Sequence, residues 1–234
     1  MNPPEVVSMK PCPPVSAFKE RPILFSAPMV RALLNDTKTQ TRRALRVQPP
    51  PETHSFHIYH HPDPRPHHWA MDGDSLLNFA VPCPYGSVGE RLYVRETWQH
   101  SNFPLGPFDE DCSVFYRADY MDDPHGPDGE KSPEGRYRSW KPAIHMPRAA
   151  SRIDLEVTGV RVERLHDISR EDAKAEGCKH GDTCDHVRLS CADIGCLGPD
   201  YRVGYRKLWE QINGAGSWNA NPWVWCVSFR RIRP

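Results

Sequence analysis

The chain has 234 residues, enough for one domain with insertions or for two small domains. Lysine plus arginine and aspartate plus glutamate both number 30, so the formal net charge at pH 7 is zero and a nucleic-acid partner would need a local basic patch. Apolar runs are too short for a membrane span, and the first residues lack a hydrophobic signal core. We expect a cytoplasmic protein without a membrane partner, whose eight cysteines are thiols or metal ligands rather than disulfides.

Proline-rich and polar stretches divide the chain into predicted core segments and insertions. We predict that residues 1–20 form a disordered tail, because prolines recur there without hydrophobic periodicity. Residues 21–234 are predicted to form a single domain. Three insertions are expected inside it: a histidine- and proline-rich loop at about 48–87, an acidic and proline-rich segment at 101–138, and a cysteine-rich segment at 177–200. The imidazole spacings of the first insertion fit no closed set of metal ligands.

A basic turn near the start of the domain carries the strongest chemical signal. A strand pattern around Ile23 and a helix that begins near Pro28 precede the sequence Lys-Thr-Gln-Thr-Arg-Arg at residues 38–43. Lys38 and Thr41 lie three residues apart, so one turn could place an amine beside a hydroxyl that it activates. The two arginines that follow would supply positive charge for a phosphate. The alternative interpretation is a solvated basic turn without a chemical role.

The remaining core elements follow from hydrophobic alternation and from helix-end signals. They are predicted as strands over 89–98, 151–164 and 222–229 and as helices over 167–177 and 203–212. In the first of these helices Ser169 is the expected N-cap and Gly177 the expected C-cap. Glu176 falls in the last turn, where a carboxylate opposes the helix dipole and calls for a cationic partner or for solvent.

Segment 140–148 is predicted as a proline-bounded loop that binds a nucleotide-sized ligand. Trp140 offers an aromatic face, Lys141 and Arg148 offer positive charge, and His145 offers hydrogen bonds. The alternative is a loop that its apolar residues hold against the core. The predicted nucleic-acid- or ligand-binding side chains are cations, aromatic rings and one imidazole: Arg42, Arg43, Arg95, Trp98, Trp140, Lys141, His145, Arg148 and Trp218.

The last insertion carries a candidate zinc site. Four thiols with two histidines among them could close a tetrahedral site and stabilise a segment of low apolar content: Cys178, Cys184, Cys191 and Cys196. The cysteines form no Cys-x-x-Cys knuckle, so free cysteines in a mobile insertion are the alternative. Because no His-x-x-x-His or His-x-Glu pair accompanies them, we expect zinc to be structural and catalysis to need no cofactor.

Taken in order, these segments resemble the ASCH domain, a family of the PUA-like superfamily. The resemblance is carried by the basic turn at 38–43, the Gly-Glu-Arg-Leu-Tyr-Val strand at 89–94, the helix that ends near Glu176 and the aromatic terminal strand. More narrowly, four segments look like the ASCH-domain proteins of tailed phages and prophages, which act in a bacterial host cell: 21–46, 95–98, 140–148 and 216–231. The resemblance implies an α+β fold. This would be a small, mostly antiparallel β-barrel with short flanking helices, long inserted loops and a cleft for RNA or modified nucleosides.

One enzymatic branch of the superfamily, the bacterial acetylcytidine amidohydrolase, is thought to use a lysine, a threonine and a glutamate. Matched by motif, these residues fall on Lys38, Thr41 and Glu176. The resemblance implies that Thr41 attacks an amide carbonyl, that Lys38 in a dry site takes the hydroxyl proton, and that Glu176 orients the lysine or a water. Two other functions stay open. One is an ASCH-type ribonuclease in which Lys38 stabilises a phosphorane, and the other is a non-catalytic RNA-binding module with strong salt dependence.

Overall fold

Ten strands and three α-helices form in the part of the chain that the computed structural model describes, which is residues 20–59, 67–102, 106–122, 139–178 and 200–232. The strands are β1 (Glu20–Leu24), β2 (Gln40–Ala44), β3 (Ser55–Tyr59), β4 (His67–Asp72), β5 (Ser75–Pro82), β6 (Arg91–Arg95), β7 (Trp98–His100), β8 (Val114–Tyr116), β9 (Asp154–Arg164) and β10 (Trp223–Ile232). The α-helices are α1 (Ala27–Leu34), α2 (Arg170–Ala175) and α3 (Tyr201–Asn213).

A five-stranded mixed sheet forms the centre of the fold, in the order β1-β6-β9-β10-β2. β1 runs parallel to β6, and the other neighbouring strands are antiparallel. The predicted alternation along the strands is confirmed, since Leu92 and Val94 of β6 and Leu155 and Val157 of β9 are buried. Because successive side chains point to opposite faces of a sheet, these residues give it a continuous apolar face.

The closing strand β10 is buried on both faces. Its odd-numbered side chains pack in the main core with α1, as predicted for an aromatic terminal strand: Trp223, Trp225, Val227 and Phe229. Its even-numbered Val224 and Cys226 pack in a second cluster with Tyr205 and Trp209 of α3. The sheet therefore lies between α1 on one face and α3 on the other.

The prediction of a loop over residues 48–87 is wrong. Strands β3, β4 and β5 form an antiparallel three-stranded sheet within it. This small sheet packs on the main core through aromatic edges, with the ring centroids of Phe56 and Trp223 5.1 Å apart and those of His68 and Trp225 4.8 Å apart. Burial of these rings explains how a segment rich in proline and histidine folds.

The predicted α+β class is confirmed, but the predicted barrel is not. β1 and β2 are the two ends of the five-strand order, and no strand among the described residues closes the gap between them. A side chain spans this gap instead, because Nη2 of Arg43 donates to the carbonyl oxygen of Leu24 at 2.6 Å. An open sheet whose end strands are linked by an arginine replaces the closed barrel.

The predicted start signals of α1 and α2 agree with the structure, whereas the C-cap of α2 is Glu176, one residue before the predicted Gly177. Pro28 lies in the first turn of α1, and the hydroxyl of Ser169 accepts a hydrogen bond from the backbone N–H of Asp172 at the start of α2. Gly177 follows the end of α2 with a φ of 78°. The helices are short, and none in the described part of the chain is long and apolar enough to cross a membrane. The predicted turn at 38–43 differs, because its last four residues belong to the strand β2.

Candidate active site

Backbone contacts bring the end of α2 against the segment that leads into β2. Lys38 and Glu176 form an isolated antiparallel bridge, and the N–H of Thr39 donates to the carbonyl oxygen of Ala175 at 2.8 Å. Gly177 is required here, since an added Cβ would lie only 2.9 Å from the Cβ of Ala32 and its φ is in the left-handed region. The sequence thus fixes Lys38 beside the C-terminal end of a helix.

Lys38 and Glu176 form a buried ion pair. Nζ of Lys38 donates to Oε2 of Glu176 at 2.7 Å and to the backbone carbonyl oxygen of the same residue at 2.9 Å. Their side chains are 0% and 3% exposed. The lysine neutralises a carboxylate that the helix dipole disfavours, so the cationic partner predicted for Glu176 is Lys38 itself.

Arg42 is the second cation of the site, and it is buried rather than presented to a phosphate. Its guanidinium donates to Glu163, to Asp172 and to the amide oxygen of Gln40. Nη1 of Arg42 also lies 3.6 Å from Oε1 of Glu176. The prediction that Arg42 binds phosphate therefore conflicts with the structure, because the N–H groups of its guanidinium already donate to carboxylates.

Opposite charges balance in this cluster of side chains. Arg161 joins it by donating to Glu163 at 2.8 Å and to Asp172 at 2.6 Å. Burial alone would raise the pKa values of Glu163 and Asp172, but Arg161 and Arg42 outweigh it and both pKa values are lowered. Burial likewise works against the charge of Arg42, but Cys226, Glu163 and Glu176 outweigh it and its pKa is raised. Glu163, Asp172, Arg42 and Arg161 therefore stay ionised at neutral pH.

Thr41 reaches the site from the edge strand β2. It pairs with Val227 of β10 and is 1% exposed. Alternation along β2 directs Gln40 and Arg42 toward α2 and Thr41 toward the opposite face. The two faces meet at the open edge of β2, where Thr41 and Glu176 both line a cavity of about 50 Å³.

That cavity is closed on its far side by α3, which the site predicted from the sequence does not include. Its lining contains Tyr205 and Trp209 of α3, together with Arg43 of β2. The spacing of Tyr205 and Trp209, four residues apart on one helix face, is the signal available in the sequence, but it equally describes core residues. Gln40, which accepts a hydrogen bond from Arg42, is also missing from the predicted site, although it lies within the basic turn at 38–43.

One predicted ligand-binding side chain lies in a separate buried cluster, and a second lies beside it. Trp98 is 2% exposed and packs with Met146 and Ala150, so the prediction that its ring stacks on a base conflicts with the structure. Nζ of Lys141 lies 2.9 Å from Nε2 of His100 and 5.4 Å from the Trp98 ring centroid. Burial explains the difference, because an indole packed in a core cannot take a base on its face.

The other predicted ligand-binding residues are spread over the surface and mostly engaged. Arg95 donates to the carbonyl oxygen of Ile144 at 3.2 Å, and Arg148 forms ion pairs with Glu20 and Asp154. Trp140 lies near the guanidinium of Arg117, with 5.6 Å between them.

The remaining two candidates differ in exposure. His145 is exposed on a 3-10 turn over Ala143–His145. Trp218 stacks on the ring of His166 at 4.7 Å and packs against the second core cluster. Trp218 lies next to Tyr205, with 6.2 Å between the ring centroids, whereas the contacts described above for Arg95, Trp140 and Arg148 lie elsewhere.

The candidate zinc site is only partly described. Cys178 lies beside Glu176, and burial raises the pKa of its thiol to about 12. Cys184, Cys191 and Cys196 lie outside the described residues. Among the described residues, no three side chains of the metal-binding types come together.

Comparisons with known proteins add no relative to this description. No protein-family model, no curated protein and no solved structure matches the chain. The class of protein defined by the fold and site is thus an α+β protein with a buried Lys–Glu pair at the open edge of a mixed sheet.

Proposed function

We propose that this chain is an ASCH-type, PUA-like hydrolase that removes the acyl group from an acylated cytidine through Lys38, Thr41 and Glu176. The observation that carries the proposal is the 2.7 Å contact between Nζ of Lys38 and Oε2 of Glu176. These two residues are 138 positions apart in the chain, and the resemblance to the ASCH family points to both of them. The shared cavity of Thr41 and Glu176 adds the third residue.

The ion pair can supply the base that a threonine nucleophile needs. Transfer of one proton from Nζ of Lys38 to Oε2 of Glu176 along their hydrogen bond gives a neutral amine and a neutral acid. The amine then takes the hydroxyl proton of Thr41 while its oxygen forms a bond to the amide carbon. The C–N bond breaks, and Lys38 returns the proton to the departing amino group of cytidine.

A water molecule completes the reaction. The acyl group is then an ester on Thr41, and water attacks its carbonyl carbon while Lys38 takes one proton of the water. The ester C–O bond breaks, the proton passes to the oxygen of Thr41, and the free acid leaves. The sum is one amide plus one water giving one amine and one acid, with the side chains restored.

The competing function, a non-catalytic RNA-binding surface, has less support. A phosphate-binding surface needs cations that are free to meet a phosphate. Arg42 is buried among carboxylates, and Arg148 is paired with Glu20 and Asp154. These pairings leave little concentrated positive charge near the Lys38–Glu176 pair.

The test is chromatographic. Purified protein is incubated with N4-acetylcytidine and, separately, with a short single-stranded RNA, alongside Lys38→Ala and Thr41→Ala. We expect wild type to release cytidine and both variants to lose at least about 100-fold of that activity, roughly the contribution of a general base or nucleophile. RNA cleavage that is lost in Lys38→Ala and kept in Thr41→Ala would replace this proposal with a nuclease. Binding of RNA without turnover of either substrate would replace it with the binding module.

A further inference from the structure

One edge of β2 is free. β2 is an end strand of the five-stranded sheet, and no other strand in the described part of the chain pairs with its outer edge. On the inner edge, the N–H of Leu45 donates to the carbonyl oxygen of Trp223, and the N–H of Phe229 donates to that of Thr39. Backbone groups alternate in direction along an antiparallel strand, so the odd-numbered residues bond to β10. The backbone groups of the even-numbered residues point outward: Gln40, Arg42 and Ala44.

The cavity at the candidate active site lies beside this free edge. Its lining includes four consecutive residues of β2, 41–44, although neighbouring side chains in a strand point to opposite faces of the sheet. It also includes Met29 of α1 and Tyr205 of α3, and these helices pack on opposite faces. A space that meets both faces and both helices lies at the strand edge, where the N–H of Arg42 points. Among the described residues, none accepts a hydrogen bond from that N–H.

An N–H group at this place suits the chemistry of a threonine nucleophile. One peptide bond joins Thr41 to Arg42, so this N–H is the first backbone donor after the attacking hydroxyl. Attack on an amide carbon moves negative charge to the carbonyl oxygen, and a fixed N–H in a water-poor site stabilises that charge. In α/β-hydrolases the backbone N–H of the residue after the nucleophile has this role. The cavity of about 50 Å³ has room for a small acyl group.

We infer that the backbone N–H of Arg42 is the oxyanion donor of the site: it binds the carbonyl oxygen of the acyl group and stabilises the negative charge on that oxygen as Thr41 attacks. This inference rests on the proposed function, because it names one more catalytic group for the same reaction. The guanidinium of Arg42 has no part in it, since it donates to Glu163 and Asp172 inside the fold. The backbone and the side chain of this residue therefore have separate roles.

The electrons and the proton of the step balance. The oxygen of Thr41 forms a bond to the acyl carbon, the electron pair of the C=O bond moves to the carbonyl oxygen, and the hydroxyl proton goes to Lys38. The N–H of Arg42 donates a hydrogen bond to that oxygen and keeps its proton. When the C–N bond breaks, the C=O bond forms again, and Lys38 returns the proton to the amino group of cytidine.

The test replaces the amide between Thr41 and Arg42 by an ester in the full-length protein, made by cell-free translation with the α-hydroxy analogue of arginine. This change removes the N–H and keeps the guanidinium. The same change at Ala44 is the matched control, since its N–H also points outward and the preceding carbonyl likewise bonds to β10. We expect kcat for N4-acetylcytidine to fall at least about 100-fold in the Arg42 ester, as for loss of one oxyanion donor, and to stay near wild type in the Ala44 ester.

Two results would overturn the inference and leave the hydrolase intact: a wild-type rate in the Arg42 ester, or equal losses in the two esters. Equal losses would show that weaker pairing with β10, which both esters share, lowers the rate. Thermal unfolding of the two ester proteins checks that both are folded. A wild type that releases no cytidine would instead remove the proposed hydrolase.

Binding decides the question if the Arg42 ester does not fold or if wild type shows no turnover. The backbone amide signal of Arg42 in ¹⁵N-labelled wild type is followed during titration with N-methylacetamide, whose carbonyl oxygen accepts a hydrogen bond. A saturable downfield shift of the amide proton supports the donor. A signal that does not move overturns it.

Discussion

Lys38 binds Glu176 twice, through the carboxylate oxygen at 2.7 Å and through the backbone carbonyl oxygen at 2.9 Å. The double contact fixes both the side chain of Glu176 and the end of α2. A buried pair of this kind is weak evidence for stability as such, because desolvation of two charges opposes their attraction. Its position at a cavity that Glu176 and the hydroxyl-bearing Thr41 both line instead suits a reactive pair.

Loss of one partner of the Lys38–Glu176 pair should nevertheless lower the free energy of unfolding. Lys38→Met leaves Glu176 buried beside Arg42 alone, and we expect the free energy of unfolding to fall by about 3–5 kcal/mol. Lys174→Met, on the exposed side of α2, is the matched control and should change it by less than about 0.5 kcal/mol. Urea unfolding monitored by circular dichroism measures both. Equal stability of Lys38→Met and wild type would contradict the burial of this pair.

The ammonium group of a lysine should not be able to replace the guanidinium group of Arg42. Its guanidinium contacts Glu163, Asp172 and Gln40 at once, which a lysine cannot reproduce. We expect Arg42→Lys to lose about 2–3 kcal/mol of unfolding free energy. Arg161→Lys should lose less than about 1 kcal/mol, because the Arg161 side chain is 42% exposed. Thermal unfolding of the two variants at one pH compares them, and the reverse order would disprove the assignment of Arg42 as the central cation.

The small sheet should depend on its aromatic contact with the main core. Phe56→Ala removes a ring that packs on Trp223, and we expect a loss of about 2–4 kcal/mol. Ile58 lies on the same strand but is 49% exposed, so Ile58→Ala should lose less than about 1 kcal/mol. Chemical unfolding of Phe56→Ala and Ile58→Ala measures the two losses. Indistinguishable variants would mean that β3–β5 does not pack on the core through Phe56.

His68 should make stability depend on pH. Burial lowers the pKa of this imidazole to about 4, whereas in the unfolded chain it titrates near its usual 6.5. The unfolded state then binds a proton that the folded state refuses, so stability falls as pH drops from about 6.5 to 4 and levels off below. The contribution is about 3 kcal/mol.

The comparison of wild type with His68→Phe isolates this effect. From about pH 7.5 to pH 4 the unfolding free energy of wild type should fall relative to that of His68→Phe, because phenylalanine cannot take up the proton. The phenylalanine ring keeps an aromatic group against Trp225. Parallel pH profiles for the two proteins would show that His68 titrates normally and is not buried in this way.

Local signals make part of this fold predictable from the sequence. Pro28 marks the first turn of α1, Ser169 caps α2, and the alternation of β10 indicates a strand with one fully apolar face. The β3–β5 sheet is not predictable in the same way. Its alternating Phe56 and Ile58 stand among prolines and histidines that favour a loop, and only packing on Trp223 decides the outcome.

Part of the site is predictable from the sequence, but the pairing of its charged side chains is not. The motif singles out Lys38 and Glu176, and the dipole of α2 calls for a cation near Glu176. Arg42 resembles an exposed phosphate ligand in the sequence because its partners Glu163 and Asp172 are 121 and 130 positions away in the chain. Periodicity carries no information about such distant pairing, and the same limit hides the part that Trp209 plays in the cavity.

The most direct test of the proposed mechanism is mass spectrometry of the Thr41-containing peptide after a rapid quench with N4-acetylcytidine. We predict an acetyl group on Thr41 in wild type, together with release of cytidine in the same time course. In Lys38→Ala both should be absent, because the hydroxyl has no base. Release of cytidine without any acetyl group on Thr41 would contradict the nucleophile, and absence of both products in wild type would contradict the hydrolase itself.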